Sequence, residues 1–228
     1  MLADADLAAL GRTLGDTHRA RFVLALLGGQ ELTAGELAAR AGASSSLASA
    51  HLARLLESGL VSVRKRGRQR YYRLASQDIA QAIEALLAIA PRQTVTGLTG
   101  VTRGKALQRA RTCYDHLAGQ LGVALADALE QQRVLTPADG GWVLTDKGER
   151  RLGSLGLDID ALRQSRRSFL RPCLDWTERR PHVAGTLGQA LASRLLDLGW
   201  VRRAEATRAV LITPLGQQQL LAEFAVKV

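Results

Sequence analysis

The stretch that decides the fold is TAGELAARAGASSSLASAHLARLLESGLVSVRKRGRQRYYRLA, residues 33–75. Thr33 to Ala41 reads as a short helix, and Gly42-Ala43 as a turn. Ser44 to Ser58 reads as a second helix, stopped by Gly59. The remainder, LVSVRKRGRQRYYRLA, alternates Val61, Val63, Tyr71 and Leu74 with polar residues and breaks at Gly67. That is the pattern of two short strands joined by a tight turn. Helix, turn, helix, then a projecting hairpin is the layout of a winged helix-turn-helix. Such a unit lays its second helix in the DNA major groove and its hairpin along the backbone or minor groove.

Local chemistry supports each piece. Thr33 with Glu36 three residues later forms a capping box, and Ser44 is an N-cap for the second helix. Leu47, Leu52, Leu55 and Leu56 are expected to bury one face of that helix. Ser45, Ser46, Ser49 and Ala50 leave the other face small and polar, so that it approaches base edges closely. Ser45, Ser46 and Ser49 are therefore the candidates for base contacts, and Ser44, His51 and Arg54 for phosphate contacts or register. The hairpin contributes Arg64, Lys65, Arg66, Arg68, Gln69 and Arg70, followed by Arg73. Six cations within residues 64–73 suit phosphate neutralisation. A basic, solvated hairpin after an ordinary helical pair is the plain alternative. The joint occurrence of capped helix, serine-rich helix and basic hairpin in this order argues against it.

Residues 7–90 resemble ArsR/SmtB-type bacterial transcriptional regulators. The resemblance is carried by GRTLGDTHRARFVLALL (11–27), Leu14-Gly15-Asp16, Ser49-Ala50-His51-Leu52, Ser58-Gly59-Leu60-Val61 and Gly67. It implies a homodimeric winged-helix repressor on a palindromic double-stranded operator, released by a metal ion or another small effector. It also implies a dimer interface made by the first helix and the helix after the wing, here residues 5–14 and 76–90. Two departures stand out. Where metal-sensing members carry Cys-x-Cys before the recognition helix, this chain has Glu36-Leu37-Ala38-Ala39. Where others carry paired His and acidic residues after the wing, it has Asp78 and Glu84, with no His from 52 to 115. A sensing site, if there is one, is expected elsewhere in the chain.

The 228 residues carry a net charge of +10, which suits nucleic acid but confers no sequence choice. Residues 1–90 hold 11 cations and 8 acids, against 20 and 13 in residues 91–228, so the basic character is not confined to the wing. No apolar run approaches the length of a membrane span, and Asp4 and Asp6 stand where a secretory leader would be basic. With two cysteines there is no disulfide framework. These points lead to the expectation of a cytoplasmic protein with no membrane partner. Enzyme signatures are missing. Gly100 to Lys105 has the wrong glycine spacing for a phosphate loop, and Ala106 stands where Ser or Thr would hold magnesium. No dinucleotide fingerprint, nucleophile elbow or His-Glu-x-x-His occurs.

The second half repeats itself. HLAGQLGVALADAL (116–129) aligns with HVAGTLGQALASRL (182–195). Each is followed by a hairpin pattern and then by a Thr, Thr145 or Thr213, placed to cap another helix. Pro214 at N1 strengthens the second of these. The fold expected is mainly α with small β-hairpins: a winged helix-turn-helix over 1–90, a linker over 91–105, and over 106–228 an effector domain of two helix–hairpin–helix repeats, each half a winged helix. A further echo precedes each repeat. Arg111-Thr112-Cys113-Tyr114-Asp115-His116 matches Arg171-Pro172-Cys173-Leu174-Asp175, after which His182 follows at a distance. Cys113 and His116, three apart, are expected on one helical face. Together with Cys173 and His182 they make a Cys2His2 set that suits zinc or another thiophilic metal ion. The unequal spacing, Cys-x2-His against Cys-x8-His, counts against a symmetric cage. Thiol oxidation is a second reading of the same residues, and buried structural lining a third. An organic-effector pocket stacked by Tyr114, Trp142, Phe169, Trp176 and Trp200 is a fourth.

Overall fold

Residues 4–91, 98–205 and 207–227 are described by a computed structural model, and the chain divides into two compact units between Ala80 and Gln81. The first unit holds α1 (Leu7–Leu14), α2 (Thr17–Leu26), β1 (Leu32–Thr33), α3 (Ala34–Ala41), α4 (Ser45–Glu57), β2 (Val61–Arg66) and β3 (Gln69–Leu74). The next helix, α5 (Gln77–Ile89), begins in this unit and ends in the second. Capping sets the helix starts: Asp6 for α1, Asp16 for α2, the reciprocal Thr33–Glu36 box for α3 and Ser44 for α4. Gly42 and Gly59 take left-handed φ values of 67° and 71° where α3 and α4 end. Strands β2 and β3 pair from Val61↔Leu74 to Arg66↔Gln69, and Gly67 turns at φ 58°. Sequence reading missed β1, two residues that pair along the other edge of β3.

Phe22, Leu26, Leu37, Ala48, Leu52, Leu55 and Leu74 are buried in this unit. The buried stripe of α4 thus runs through positions 48, 52 and 55, which is helical spacing. Leu47, expected inside, lies one residue round from that stripe and is 39% exposed. Leu56 is half-buried.

The second unit continues with α6 (Leu98–Arg109), β4 (Arg111–Cys113), β5 (His116–Ala118), α7 (Gly119–Gln131), β6 (Leu135–Ala138), β7 (Gly141–Leu144), α8 (Asp146–Ser154) and α9 (Ile159–Arg163). It ends with β8 (Arg171–Leu174), β9 (Pro181–Ala184), α10 (Gly185–Asp197), β10 (Val201–Arg203), β11 (Val210–Ile212) and α11 (Pro214–Phe224). The order hairpin, helix, hairpin, helix therefore occurs twice. Thr145 and Thr213 cap α8 and α11 as the sequence suggests, with Pro214 at the first turn.

Two expectations are corrected. The helices begin at Gly119 and Gly185, not at His116 and His182. The residues before these glycines pair as strands, and φ values of 76° and 84° at the glycines separate strand from helix. Residues 98–105, expected as linker, lie in α6, while positions 92–97 fall outside the described residues. Threonine and glycine made that segment read as linker, yet it is continuous with the well-formed helix that ends at Arg109.

Within the second unit α7 lies over β9, and α10 lies over β5. The approach is close because each helix carries a glycine at the crossing. A Cβ on Gly122 would sit 2.5 Å from the Leu117 carbonyl oxygen and 3.5 Å from His182 Cβ. On Gly188 it would sit 2.4 Å from the Val183 carbonyl oxygen and 3.3 Å from His116 Cβ. One apolar core, including Leu121, Leu129, Leu152, Leu187, Leu195 and Phe224, serves all these elements. Gly122→Ala is expected to cost about 1–3 kcal/mol in denaturant unfolding through overpacking. Gly153→Ala, on the open face of α8 with nothing within 4 Å of the added carbon, is expected to be neutral or stabilising by up to about 1 kcal/mol.

Candidate functional site

On the first unit, α4 presents Ser44, Ser45, Ser46 and Ser49 to solvent. The Ser44 hydroxyl accepts from the Leu47 amide at 3.4 Å, and the Ser49 hydroxyl donates to the Ser45 carbonyl at 3.0 Å. Both hydroxyls keep further lone pairs for an outside donor. Arg54 is exposed on the same helix. His51 is half-buried and turned inward: its ring stacks on His18 at 5.4 Å, and its Nδ1 lies 3.4 Å from Arg19 and 3.6 Å from Asp16. That places it behind the helix, where it props α4 against α2.

Arg64, Lys65, Arg66, Arg68, Gln69 and Arg70 are all exposed on the hairpin. Arg66 is paired with Glu31 at 2.6 Å and lies over the Tyr71 ring, and the Tyr71 hydroxyl donates to Gln69 at 2.7 Å. Arg64, Lys65, Arg68 and Arg70 have no carboxylate in salt-bridge range among the described residues. Glu31 therefore braces the wing beside its turn, while Arg64, Lys65, Arg68 and Arg70 keep free positive charge.

The second unit brings Cys113, His116, Cys173 and His182 together, all buried, with one ligand atom from each within 4.8 Å of the others. The sulfurs are 3.9 Å apart and the two Nε2 atoms 3.1 Å apart. Cys113 is the direct cross-strand partner of His116, and Cys173 of His182. Cross-strand partners project from the same face of a hairpin, so each hairpin delivers one thiol and one imidazole side by side. This corrects the expectation that Cys113 and His116 share a helical face. It also resolves the unequal spacing. The first hairpin closes in a two-residue turn, with Tyr114 at φ 58°, while the second carries a longer loop beyond the same pair. The additional residues leave the register of the pairs unchanged.

Two carboxylates stand behind the imidazoles. His116 Nδ1 is 3.2 Å from Asp115, which also holds Arg167 at 2.7 Å. His182 Nδ1 faces Asp175 at 3.5 Å. Asp175 is fully buried. It accepts from Arg111 at 2.8 Å, the Gly119 amide at 2.6 Å, and the amides of Thr177 and Glu178, while Arg111 stacks on Trp176 at 4.8 Å. Burial raises the Asp175 carboxyl, but Arg111 and these donors outweigh it and hold it well below the usual carboxylate range. Asp115 is lowered in the same way, its burial outweighed by His116 and Arg167. Burial opposes charge on His116, yet Asp115 and Cys173 raise it above the ordinary imidazole value. The hydrogen bond between the thiols pushes Cys113 up and Cys173 down, and both imidazoles favour the Cys173 thiolate. Sequence reading did not single out Asp115, Asp175, Arg111 or Arg167. The signal for the acids was present, since an Asp stands two residues after each cysteine.

Asp16, His18 and His51 also lie within 4.8 Å of one another. Capping accounts for that group, because one Asp16 oxygen already accepts the amides of His18 and Arg19. The aromatics expected to form one stacking pocket are engaged separately: Trp142 donates to Glu130, Trp176 lies under Arg111, Trp200 meets Phe224 and Phe169 lies under Arg163.

A capped helix pair with a serine-faced second helix and a basic three-stranded wing defines a winged helix-turn-helix DNA-binding unit. Residues 14–64 match a family model described as a helix-turn-helix domain. The chain is 44% identical over 212 residues to the uncharacterized HTH-type transcriptional regulator YdfF of Bacillus subtilis, covering 93% of this chain and 94% of that one. It is 40% identical over 88 residues to the HTH-type transcriptional regulator CmtR of Mycobacterium tuberculosis, covering 39% of this chain and 74% of that one. Among solved structures, the transcriptional repressor BigR of Xylella fastidiosa is similar at 35% identity and a TM-score of 0.35, over 39% of this chain and 89% of that one. The chain belongs to the HTH-type transcriptional regulators of the ArsR/SmtB family. These relatives are regulators and not enzymes.

Replacing Arg111 with Met would leave Asp175 charged, dry and short of its main partner. A loss of about 3–5 kcal/mol of stability is expected in denaturant unfolding, whereas Arg68→Met at the exposed wing tip should change stability by less than about 0.5 kcal/mol.

Proposed function

We propose that the protein is a homodimeric, sequence-specific repressor of transcription that binds a palindromic operator, and that its C-terminal part modulates this binding. The observation that carries the reading is the pairing of an exposed small-polar face on α4 with unneutralised cations at the wing tip. Ser45, Ser46 and Ser49 contact base edges, Ser44 and Arg54 set register on the phosphates, and His51 supports the helix from behind. Arg64, Lys65, Arg66, Arg68, Gln69 and Arg70 hold the backbone. Two such helices enter successive major grooves about 34–36 Å apart. Dimerisation has candidate faces in Leu7 on α1, 76% exposed, and in Ile89 on α5, 77% exposed. No helix among the described residues is long and apolar enough to cross a membrane, and a regulator of this kind acts in the cytoplasm.

The division of labour follows the chain: DNA binding and dimerisation in 1–90, and effector response in the part that starts with α6. We read the last region as a duplication of a half winged helix whose copies share one core. Its link to the dimer helix is a buried ion pair in the second unit. Glu84 on α5 is 1% exposed and pairs with Arg208, which also donates to the carbonyl of Thr112, next to Cys113. A change in the Cys113–His116–Cys173–His182 cluster, by metal binding or thiol oxidation, thus has a short polar path to α5. The convergence of these four side chains favours that sensor reading over an effector-free architectural binder.

Substituting Arg64, Lys65, Arg68 and Arg70 with Ala should weaken binding to every sequence. It should also flatten the dependence of log affinity on log salt by about 0.9 for each phosphate that the wing no longer neutralises. Ser46→Ala or Ser49→Ala should instead change the motif recovered when the protein selects from random duplex DNA. Unchanged affinity in the wing variant, or no motif recovered by the unmodified protein, would overturn the operator reading.

A further inference from the structure

We propose that Cys113, His116, Cys173 and His182 form a closed tetrahedral site for one thiophilic divalent cation of the zinc type, with Asp115 and Asp175 as the carboxylates that orient its two imidazoles. The inference deepens the sensor reading. Its test contains no DNA, so a failure here and a failure of operator binding are read separately.

The distances fit the cation. Tetrahedral zinc, with metal–sulfur bonds near 2.3 Å and metal–nitrogen bonds near 2.05 Å, has a sulfur–sulfur edge of about 3.8 Å and a nitrogen–nitrogen edge of about 3.3 Å. The corresponding separations are 3.9 Å and 3.1 Å. Four ligand atoms within 4.8 Å fill a coordination sphere and leave no position for water or substrate, as in closed structural sites rather than catalytic ones. Two thiolates and two imidazoles form the S2N2 set that selects zinc among common divalent ions.

Charge and hydrogen bonding point the same way. His116 Nδ1 is within hydrogen-bond distance of Asp115, and His182 Nδ1, buried and without a hydrogen-bond partner among the described residues, faces Asp175 at 3.5 Å. When Nδ1 carries the proton toward a carboxylate, Nε2 is left as a bare lone pair. Two such lone pairs then face each other across 3.1 Å in a site where both rings are at most 1% exposed. Lone pairs aimed at one another in a dry interior repel unless a proton or a metal cation lies between them. A doubly charged cation with two thiolates and two neutral imidazoles is neutral as a group, which is the form such an interior accepts. Arg111 and Arg167 neutralise the two outer carboxylates. The pseudo-symmetric glycines complete the frame. Gly122 lets α7 close over His182, and Gly188 lets α10 close over His116. Each hairpin gives one sulfur and one nitrogen, so the cation joins the two hairpins.

The full-length protein, reduced and stripped with a chelator, is titrated with cobalt(II) and then with zinc(II). One cobalt per chain is expected. Thiolate-to-cobalt charge transfer and the intense visible bands of tetrahedral cobalt should appear, and zinc should abolish both. Cys173→Ser is expected to lose the charge transfer from one thiolate and to stop retaining zinc through desalting. Asp115→Ala keeps all four ligands and should weaken zinc binding about 10–100-fold. Should either variant fail to fold by circular dichroism, the stoichiometry and spectrum of the unmodified protein still decide. The proposal is overturned if the reduced protein takes up no metal, if cobalt binds with an octahedral spectrum, or if folded Cys173→Ser binds as the parent does. A Cys113–Cys173 disulfide formed in air, with the reduced protein remaining metal-free under titration, would assign the cysteines to redox chemistry instead.

Discussion

Antiparallel pairing is the constraint on which the second unit depends. Cys113 stands opposite His116 and Cys173 opposite His182 because strand register leaves them no other partner. Cross-strand partners share a face, so a thiol and an imidazole leave each hairpin together. Bringing the two hairpins together then gathers all four groups at one point. The rest of the unit accommodates that arrangement. Glycines at 122 and 188 allow the helices to approach, and the Arg111–Asp175 pair keeps a buried carboxylate ionised behind His182. Thiols and imidazoles dehydrated without compensation would destabilise a core. Compensated, they fix one arrangement of it.

The first unit works on the opposite principle. The serines of α4 and the cations of the wing are on the outside. Serines on α4 are small enough to let the helix approach a groove, and the wing tip holds cations that no acid neutralises. Among the described wing cations, Arg66 is the one paired with an acid, Glu31, beside the turn of the hairpin. A surface kept short of partners is poised to take them from a polyanion, and the helix-turn-helix relatives assign the polyanion to DNA. Chemistry that needs water at the wing and chemistry that excludes water at the cluster are thereby housed in different parts of one chain.

Much of the first unit was legible because its signals are local. Thr33 with Glu36, Ser44, Gly59 and Gly67 each act within a few residues, and all are found where the pattern put them. The misjudged position of Leu47 shows the limit. With leucines at 47, 52, 55 and 56, periodicity alone does not choose between adjacent stripes, and Ala48 takes the inside place. Two-residue β1 has no pattern of its own and exists only through β3. In the second unit the repeat and the Cys/His echo could be read, but the helix start could not. His116-Leu117-Ala118 runs into a helical sequence without a polar cap, and only pairing with Arg111 to Cys113 makes it a strand. The Asp two residues after each cysteine could be read as part of the echo, but the arginines that pair with these carboxylates could not. Arg111 and Asp175 meet across 64 residues, and no local spacing announces such a pair.

X-ray absorption at the zinc edge of the reduced, zinc-loaded protein tests the central claim most directly. The account predicts a single four-coordinate shell of two sulfurs at about 2.3 Å and two imidazole nitrogens at about 2.0–2.1 Å. A shell of oxygen and nitrogen without sulfur, or one with five or six ligands, would contradict it.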